Sequence, residues 1–212
     1  MFGGSLLTRS RDRLFAAGND LAAGWLDRGE LGRRRRELLA RARGRVLDVG
    51  IGSGATLAAY PPGVELVGLD PSPHMLPRAR ARARRLGRAI ELVEASAEAL
   101  PFEDASFQTV VCSHVLCSVS ELDETLSEVA RVLAPRGELL FLEHLRSDDR
   151  RLAAWQDRLE PAWAFINAGC HPNRATLDAL RRAGFAIDPL HRFELPLPLV
   201  KPHAAGVARL RP

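Results

Sequence analysis

The stretch Val46-Leu47-Asp48-Val49-Gly50-Ile51-Gly52-Ser53-Gly54, followed by Leu69-Asp70 sixteen residues past its last glycine, restricts the fold more than any other part of this chain. An apolar strand runs into a glycine-rich turn, and a second strand ends in a carboxylate. That order belongs to a doubly wound α/β sheet that holds the adenosyl part of a nucleotide-like cofactor.

The spacing narrows the cofactor. Dinucleotide folds use G-x-G-x-x-G, whose third glycine lets a helix N-terminus approach a pyrophosphate. Here the spacing is G-x-G-x-G, and Asp48 stands two positions before the first glycine. Its carboxylate repels a pyrophosphate and favours a ligand that carries an amino group and a sulfonium. The motif points to S-adenosyl-L-methionine rather than NAD.

A chain of 212 residues, 46% of them hydrophobic, can bury one full core and is too short for two ordinary α/β domains. The formal net charge is +4, but Lys201 is the single lysine among the basic residues. That arginine bias reflects base composition as readily as an anionic partner, and it does not argue for nucleic acid. Cys112, Cys117 and Cys170 lack C-x-x-C spacing, so they predict neither a disulfide framework nor a metal site, and a reducing cytoplasm is the expectation. No segment reaches the roughly 18 to 20 apolar residues of a membrane span, and Met1 to Leu7 is too short for a signal segment.

Arg9 to Arg43 reads as one or two amphipathic helices broken near Gly29 and Gly32, with Arg33 to Arg36 as a solvated face. Strands are expected at Arg45 to Val49, Val64 to Leu69, Ile90 to Val93, Phe107 to Cys112 and Gly137 to Leu142. Pro61-Pro62 stops a short helix after Tyr60. Between Pro73 and Leu86 the arginines alternate like a strand. Leu76, Ala79, Ala83 and Leu86 nonetheless share one helical side, with small residues for close packing, and helix is the reading. Asp123 to Leu133 forms a further helix that buries Leu126, Val129 and Leu133, and Pro135-Arg136-Gly137 turns the chain into the fifth strand.

Strand alternating with helix predicts an open, mostly parallel sheet covered on both faces. In such sheets the ligand lies beyond the carboxyl ends of the strands. Five windows should therefore open onto one cleft: Asp48 to Gly54, Asp70 to Met75, Ala95 to Glu98, Ser113 to Ser118 and Glu143 to Leu145.

The order of these pieces resembles the class I S-adenosylmethionine-dependent methyltransferases over roughly Arg45 to Glu143. VLDVGIGSG looks like their glycine loop, GLDPSPHML their ribose segment, SAEALPFEDASFQTVV their adenine segment and EVARVLAPRGELLF their fifth-strand hairpin. The resemblance implies a single-domain, doubly wound Rossmann-like α/β fold with a mostly parallel sheet of about seven strands and helices on both faces. It also implies that Gly50, Gly52 and Gly54 bring backbone against the methionine half, that Asp70 binds the ribose hydroxyls, with Pro71 beside it, and that Met75 packs on adenine. Many relatives have an aspartate where this chain has Ser96. Ser96, Ala97 or Glu98 then takes the adenine amino group, or Ser96 caps a turn, and Ser113 closes the cofactor side of the cleft. By the same likeness, residues 1–44 form a helical segment covering the cleft and residues 45–212 the cofactor-binding domain.

A narrower likeness is to the methyltransferase-like thiol S-methyltransferases. It is carried by Tyr60-Pro61-Pro62-Gly63, Leu69-Asp70-Pro71-Ser72-Pro73-His74, Val115-Leu116-Cys117-Ser118-Val119, Glu143-His144, Glu160-Pro161-Ala162-Trp163, Gly169-Cys170 and Pro202-His203. The hydrophobic N-terminal anchor of that group is not seen here, which implies a soluble relative with peripheral membrane contact at most. The acceptor implied is a small lipophilic molecule, a thiol first. A phospholipid or quinone methyltransferase is the alternative, and a binding-only protein the alternative of another class. Nucleic acid is not expected as a partner, because no N-P-P-Y or D-P-P-Y element follows strand four.

Methyl transfer from a sulfonium is an in-line displacement that asks for alignment and for a deprotonated acceptor. Glu143, His144 and His114 are the candidates for moving that proton, against readings as strand-end hydrogen bonds or packed rings. His171 and His203 can line the cleft or satisfy turns, and His74 is structural. Cys117 reads as core. Trp155, Leu159, Pro161, Trp163, Phe165 and Ile166 read either as core or as one wall of an apolar acceptor pocket.

Overall fold

The computed structural model describes residues 29–167 and 169–211. The chain runs α1 (Glu30–Leu39), β1 (Arg45–Val49), a 3-10 turn (Leu57–Ala59), β2 (Glu65–Leu69), α2 (Leu76–Arg85), β3 (Glu91–Val93) and β4 (Phe107–Ser113). It continues through α3 (Leu122–Val132), β5 (Leu133–His144), α4 (Arg150–Ile166), α5 (Thr176–Arg182), β6 (Phe185–Glu194) and β7 (Pro202–Leu210). One seven-stranded sheet has the order β3-β2-β1-β4-β5-β7-β6. Pairing is parallel from β3 to β5, and β7 is antiparallel to both β5 and β6. The chain leaves β1 in one direction and returns as β4 on its other side. The switch point, and with it the cleft, therefore lies between the carboxyl ends of β1 and β4.

Successive side chains of a strand point to opposite faces, and here both faces are apolar. Leu47, Val49, Val67, Leu69, Val110, Cys112, Leu139 and Phe141 share one core with Leu126, Val129 and Val132 of α3 and Leu177 and Leu180 of α5. Val46, Leu66, Val111, Leu140 and Leu142 share the other with Leu31, Leu38 and Leu39 of α1, Leu57, and Leu76 and Ala83 of α2. The doubly wound arrangement is thus built into consecutive strand residues.

The structure differs from the sequence reading in several places. Gly29 is the N-cap of α1, while Gly32 lies inside the helix and is buried, because a residue with no side chain lets the helix pack closely there. The arginine run is only partly a solvated face. Arg33 pairs with Glu30 and Glu37 and Arg34 with Glu30, whereas Arg35 is buried. Residues 1–28, where the rest of the N-terminal helical reading falls, lie outside the described residues. α2 ends at Arg85, which leaves Leu86 exposed, and its small Ala79 faces Gly54 of the glycine turn. β5 begins at Leu133, already paired with Phe107, and Arg136 at φ 62° shifts the register before Glu138 pairs with Thr109.

α4 is anchored by polar contacts rather than by its aromatic stripe. The Asp149 side chain caps its first turn by accepting from Leu152 N. The amide of buried Gln156 donates to the Leu145 and Leu199 carbonyls, and its oxygen accepts from Ser147 N. Trp155, Leu159, Phe165 and Ile166 are exposed, so these four are not core.

Candidate active site

The glycine turn after β1 is a run of left-handed backbone: Gly50, Gly52 and Gly54 have φ of 66°, 55° and 79°. A Cβ on Gly50 would stand 2.4 Å from Val115 Cγ2, and one on Gly54 would stand 2.6 Å from Leu57 Cδ1. Gly52 is different, because a Cβ there would meet nothing nearer than the Gly50 carbonyl at 4.0 Å. The first and third glycines therefore allow the turn to pack. The second leaves an open backbone face toward the cleft.

Two acidic side chains flank this face. Asp48 is buried on β1 and accepts from Thr56 Oγ1 at 2.6 Å. Burial raises its pKa to about 6, against the lowering effect of Thr56, Tyr60 and Arg35. Asp70, at the end of β2, accepts from Gly52 N and Ser72 N, both at 2.9 Å, and burial raises its pKa as well. It thus pins the loop after β2 to the glycine turn while each oxygen keeps a free lone pair. Ser113 Oγ, at the end of β4, is buried and has no hydrogen-bond partner among the described residues. The open backbone of Gly52, the two carboxylates and that unpartnered hydroxyl suit a cationic adenosyl cofactor.

Of the residues assigned to adenine by resemblance and those beside them, Met75 and Ala97 are buried, while Pro71 and Ser96 are exposed. Ser96 Oγ hydrogen-bonds Glu98 Oε2, and Glu98 Oε1 accepts from Ser120 N at 2.8 Å and from Glu121 N at 3.4 Å. Glu98 thereby supports the N-terminus of α3, and its pKa is lowered by those bonds despite the opposing desolvation.

Three imidazoles gather at the carboxyl ends of β4 and β5 and the start of β7. His114 follows β4 at φ 58°, with its backbone N–H on the Leu142 carbonyl at 2.8 Å. His144 ends β5, and His203, paired with it in register, begins β7. The ring centroids lie 5.5 Å apart for His114 and His203, 6.1 Å for His144 and His203, and 6.4 Å for His114 and His144. His203 Nδ1 donates to the Lys201 carbonyl at 3.2 Å, so its neutral ring presents the Nε2 lone pair. Desolvation pushes His203 down to about 4 and His114 well below its ordinary value. Both are neutral near pH 7.

Glu143 is fully buried, and its Oε1 accepts from Val115 N at 2.8 Å and Leu116 N at 2.9 Å. Burial raises its pKa to about 7 against those two bonds. Oε2 has no partner among the described residues. Glu143 thus fixes the loop that also packs on Gly50, and so ties the two halves of the cleft together.

Sequence spacing missed one cluster. Cys117, buried after β4, His144, and Cys170 beyond α4 place their donor atoms within 4.8 Å of one another. His144 Nε2 lies 2.9 Å from Cys170 Sγ, and Trp163 Nε1–H donates to the same sulfur at 3.3 Å. The two cysteines are 53 positions apart in sequence, and only the parallel crossover brings them together. His171 lies beside this group, with Nδ1 2.6 Å from Glu160 Oε1. His74 is half-buried in the loop after β2.

Residues 47–141 match the family described as methyltransferase domain. The chain is 37% identical over 169 residues to thiol S-methyltransferase TMT1A of Homo sapiens, an alignment covering 77% of this chain and 69% of that protein. The chain belongs to the class I S-adenosylmethionine-dependent methyltransferases, close to the thiol S-methyltransferase family. This methyltransferase is also 38% identical over 130 residues to phosphatidylethanolamine N-methyltransferase of Cereibacter sphaeroides, covering 60% of this chain and 64% of that one. Among solved structures, it is similar to a putative methyltransferase of Bacillus halodurans C-125 at 28% identity and a TM-score of 0.66, covering 77% of this chain and 72% of that chain. The methyltransferase is an enzyme whose cofactor is S-adenosyl-L-methionine and whose acceptor is a small molecule. Among the described residues no helix is long and apolar enough to cross a membrane.

Proposed function

We propose that this methyltransferase moves the methyl group of S-adenosyl-L-methionine onto the sulfur of a small lipophilic thiol. The observation that carries the reading is the triangle of imidazoles at the acceptor end of the cleft, with the Nε2 lone pair of His203 fixed by its Nδ1–H bond to Lys201. A thiol becomes a competent nucleophile only as thiolate, and a neutral imidazole lone pair offers its proton a relay toward water. Similarity to the human thiol S-methyltransferase supports the same acceptor atom.

The cofactor supplies an electrophilic methyl group on a sulfonium. Gly50, Gly52 and Gly54 seat its methionine half, Asp48 answers its amino group and Ser113 Oγ offers a hydroxyl at the same end. Asp70 takes the ribose hydroxyls, with Pro71 alongside, and Met75 and Ala97 pack against adenine near Ser96 and Glu98. At the acceptor end, one of His114, His144 and His203 receives the thiol proton. Glu143 holds the Val115-Leu116 backbone in place, and the transfer would ask for an acceptor in line with the methyl group. The cofactor, when bound, would give up that methyl group to the acceptor sulfur and keep the electron pair of the broken S–CH3 bond.

α1, which packs on the sheet and brings Arg35 near Asp48 and His114, covers that end of the site and helps keep water out. Three unlinked cysteines suit a reducing cytoplasm. The similarity to a phosphatidylethanolamine methyltransferase favours lipid as the second reading.

The test is cofactor-dependent methylation of a panel containing an alkyl thiol, a quinol and a phospholipid, with an Asp70→Ala variant beside the natural chain. Turnover of the thiol, lost in the variant, is the expected result. Turnover of the lipid or quinol alone would transfer the assignment to the second reading. Cofactor binding without product from any acceptor would leave a binding protein.

A further inference from the structure

We propose that Cys117 Sγ, His144 Nε2 and Cys170 Sγ form a three-donor zinc site whose fourth position receives the sulfur of the acceptor. The fourth ligand rests on the thiol reading above. The three protein donors do not.

The donors come from the loop after β4, the end of β5 and the loop after α4, and they already lie within 4.8 Å of one another. Zinc bonds of about 2.3 Å to sulfur and about 2.0 to 2.1 Å to imidazole nitrogen place tetrahedral donors roughly 3.5 to 3.8 Å apart. Small side-chain rotations are enough to reach that spacing. The backbone that carries the donors is fastened on both sides. His171 N donates to the Cys117 carbonyl at 2.8 Å, and Gly169, at φ 87°, packs so closely on the Ser118 carbonyl that a Cβ would stand 3.3 Å from it. His144 is held by its pairing to His203.

Two sulfurs and one imidazole select a borderline-soft cation over magnesium or calcium, whose ligands are oxygens. Three protein donors with an open fourth position are the arrangement of reactive rather than structural zinc sites. Trp163 Nε1–H on Cys170 Sγ supplies a hydrogen bond of the kind that steadies a metal thiolate. Arg174, whose Nη1 donates to the Leu116 carbonyl at 2.8 Å, sets a positive charge near both sulfurs. The Cys170 side is partly open, and the His144 side adjoins the imidazoles at the acceptor end.

In this arrangement the acceptor R–SH binds the cation as R–S⁻ and its proton passes to a neighbouring imidazole and then to water. The sulfur lone pair forms the new S–CH3 bond while the sulfonium S–CH3 bond breaks. The neutral thioether is a poor zinc ligand and leaves, which reopens the fourth position.

The experiment takes the purified full chain, equilibrates it with zinc, removes loose metal on a chelating resin and measures zinc by mass spectrometry. About one zinc per chain is expected, with at least a ten-fold loss in Cys170→Ser and in Cys117→Ser/Cys170→Ser. The cobalt-substituted natural chain needs no variant. It should show thiolate-to-cobalt absorption in the near ultraviolet and tetrahedral visible bands that shift when an alkyl thiol is added without cofactor. Zinc at the same low level in the natural chain and the variants, or a Cys117–Cys170 disulfide in the protein as isolated, overturns the site. Unabated thiol methylation by metal-stripped protein overturns the fourth position and leaves S-methylation standing. Retained zinc without thiol turnover supports the three donors and counts against the thiol reading alone.

Discussion

Replacing Asp48 by asparagine should stabilise the cofactor-free protein while it weakens cofactor binding. Asp48 is 1% exposed, and burial raises its pKa from 3.8 to about 6. That difference corresponds to roughly 3 kcal/mol of unfavourable ionisation above pH 6. The folded protein retains the proton between pH 4 and 6 after the unfolded chain has lost it. Stability therefore falls as pH rises through that window and levels off above it. Asparagine cannot ionise, and its oxygen still accepts from Thr56 Oγ1. The buried amide keeps a desolvation cost of its own, so the expected net gain at pH 7.5 is about 1 to 3 kcal/mol, or roughly 2 to 10 °C in Tm for a chain of this size. Urea unfolding of both full chains without cofactor, at pH 4.5 and pH 7.5, should show a gap that is small at the lower pH and larger at the higher one. Calorimetric titration should show cofactor affinity reduced ten-fold or more. A variant less stable than the natural chain at pH 7.5, or a gap that does not change with pH, would refute the reasoning.

Gly50→Ala combines left-handed backbone with a Cβ 2.4 Å from Val115 Cγ2, so it should lose about 3 kcal/mol of stability in thermal unfolding. Asp70→Ala removes both the proposed ribose acceptor and the link from Gly52 N to Ser72 N, and equilibrium titration should show cofactor affinity down at least 100-fold. Glu143→Ala leaves the Val115 and Leu116 N–H groups buried without an acceptor, at about 2 to 5 kcal/mol, whereas Glu143→Gln keeps an acceptor and should lose less than half as much in the same denaturation assay. His203→Ala should lower kcat for thiol methylation at least ten-fold while the cofactor Kd stays within two-fold, because the proposed function puts His203 with the acceptor and not with the cofactor.

The glycine turn and the carboxylates beside it were legible because short-range chemistry specifies them. Gly50, Gly52 and Gly54 lie in one turn, Asp48 stands two residues before them, and each strand that supports them announces itself by a run of buried aliphatics. The cluster of histidines was only partly legible. His144 and His203 face each other because β7 pairs antiparallel with β5, a juxtaposition across 59 positions that no local pattern encodes. Cys117 and Cys170 were scored by sequence spacing, which carries no information about a crossover that returns over the sheet. Arg35 was read with its exposed neighbours, although on a helix Arg33 and Arg35 point about 200° apart. The α4 aromatics pulled the reading toward core or pocket, yet Gln156 marks the buried side of that helix, and a polar residue with three backbone partners leaves no hydrophobic signal.

The identity of the methyl acceptor decides the function. The most direct measurement is mass-spectrometric identification of the methylated product from the natural chain, the cofactor and an alkyl thiol, with demethylated cofactor counted in the same sample. A methyl thioether formed one-for-one with demethylated cofactor, and absent when Asp70→Ala replaces the natural chain, is the predicted result. Demethylated cofactor accumulating only with a quinol or phospholipid, with no thioether at any thiol concentration, would contradict it.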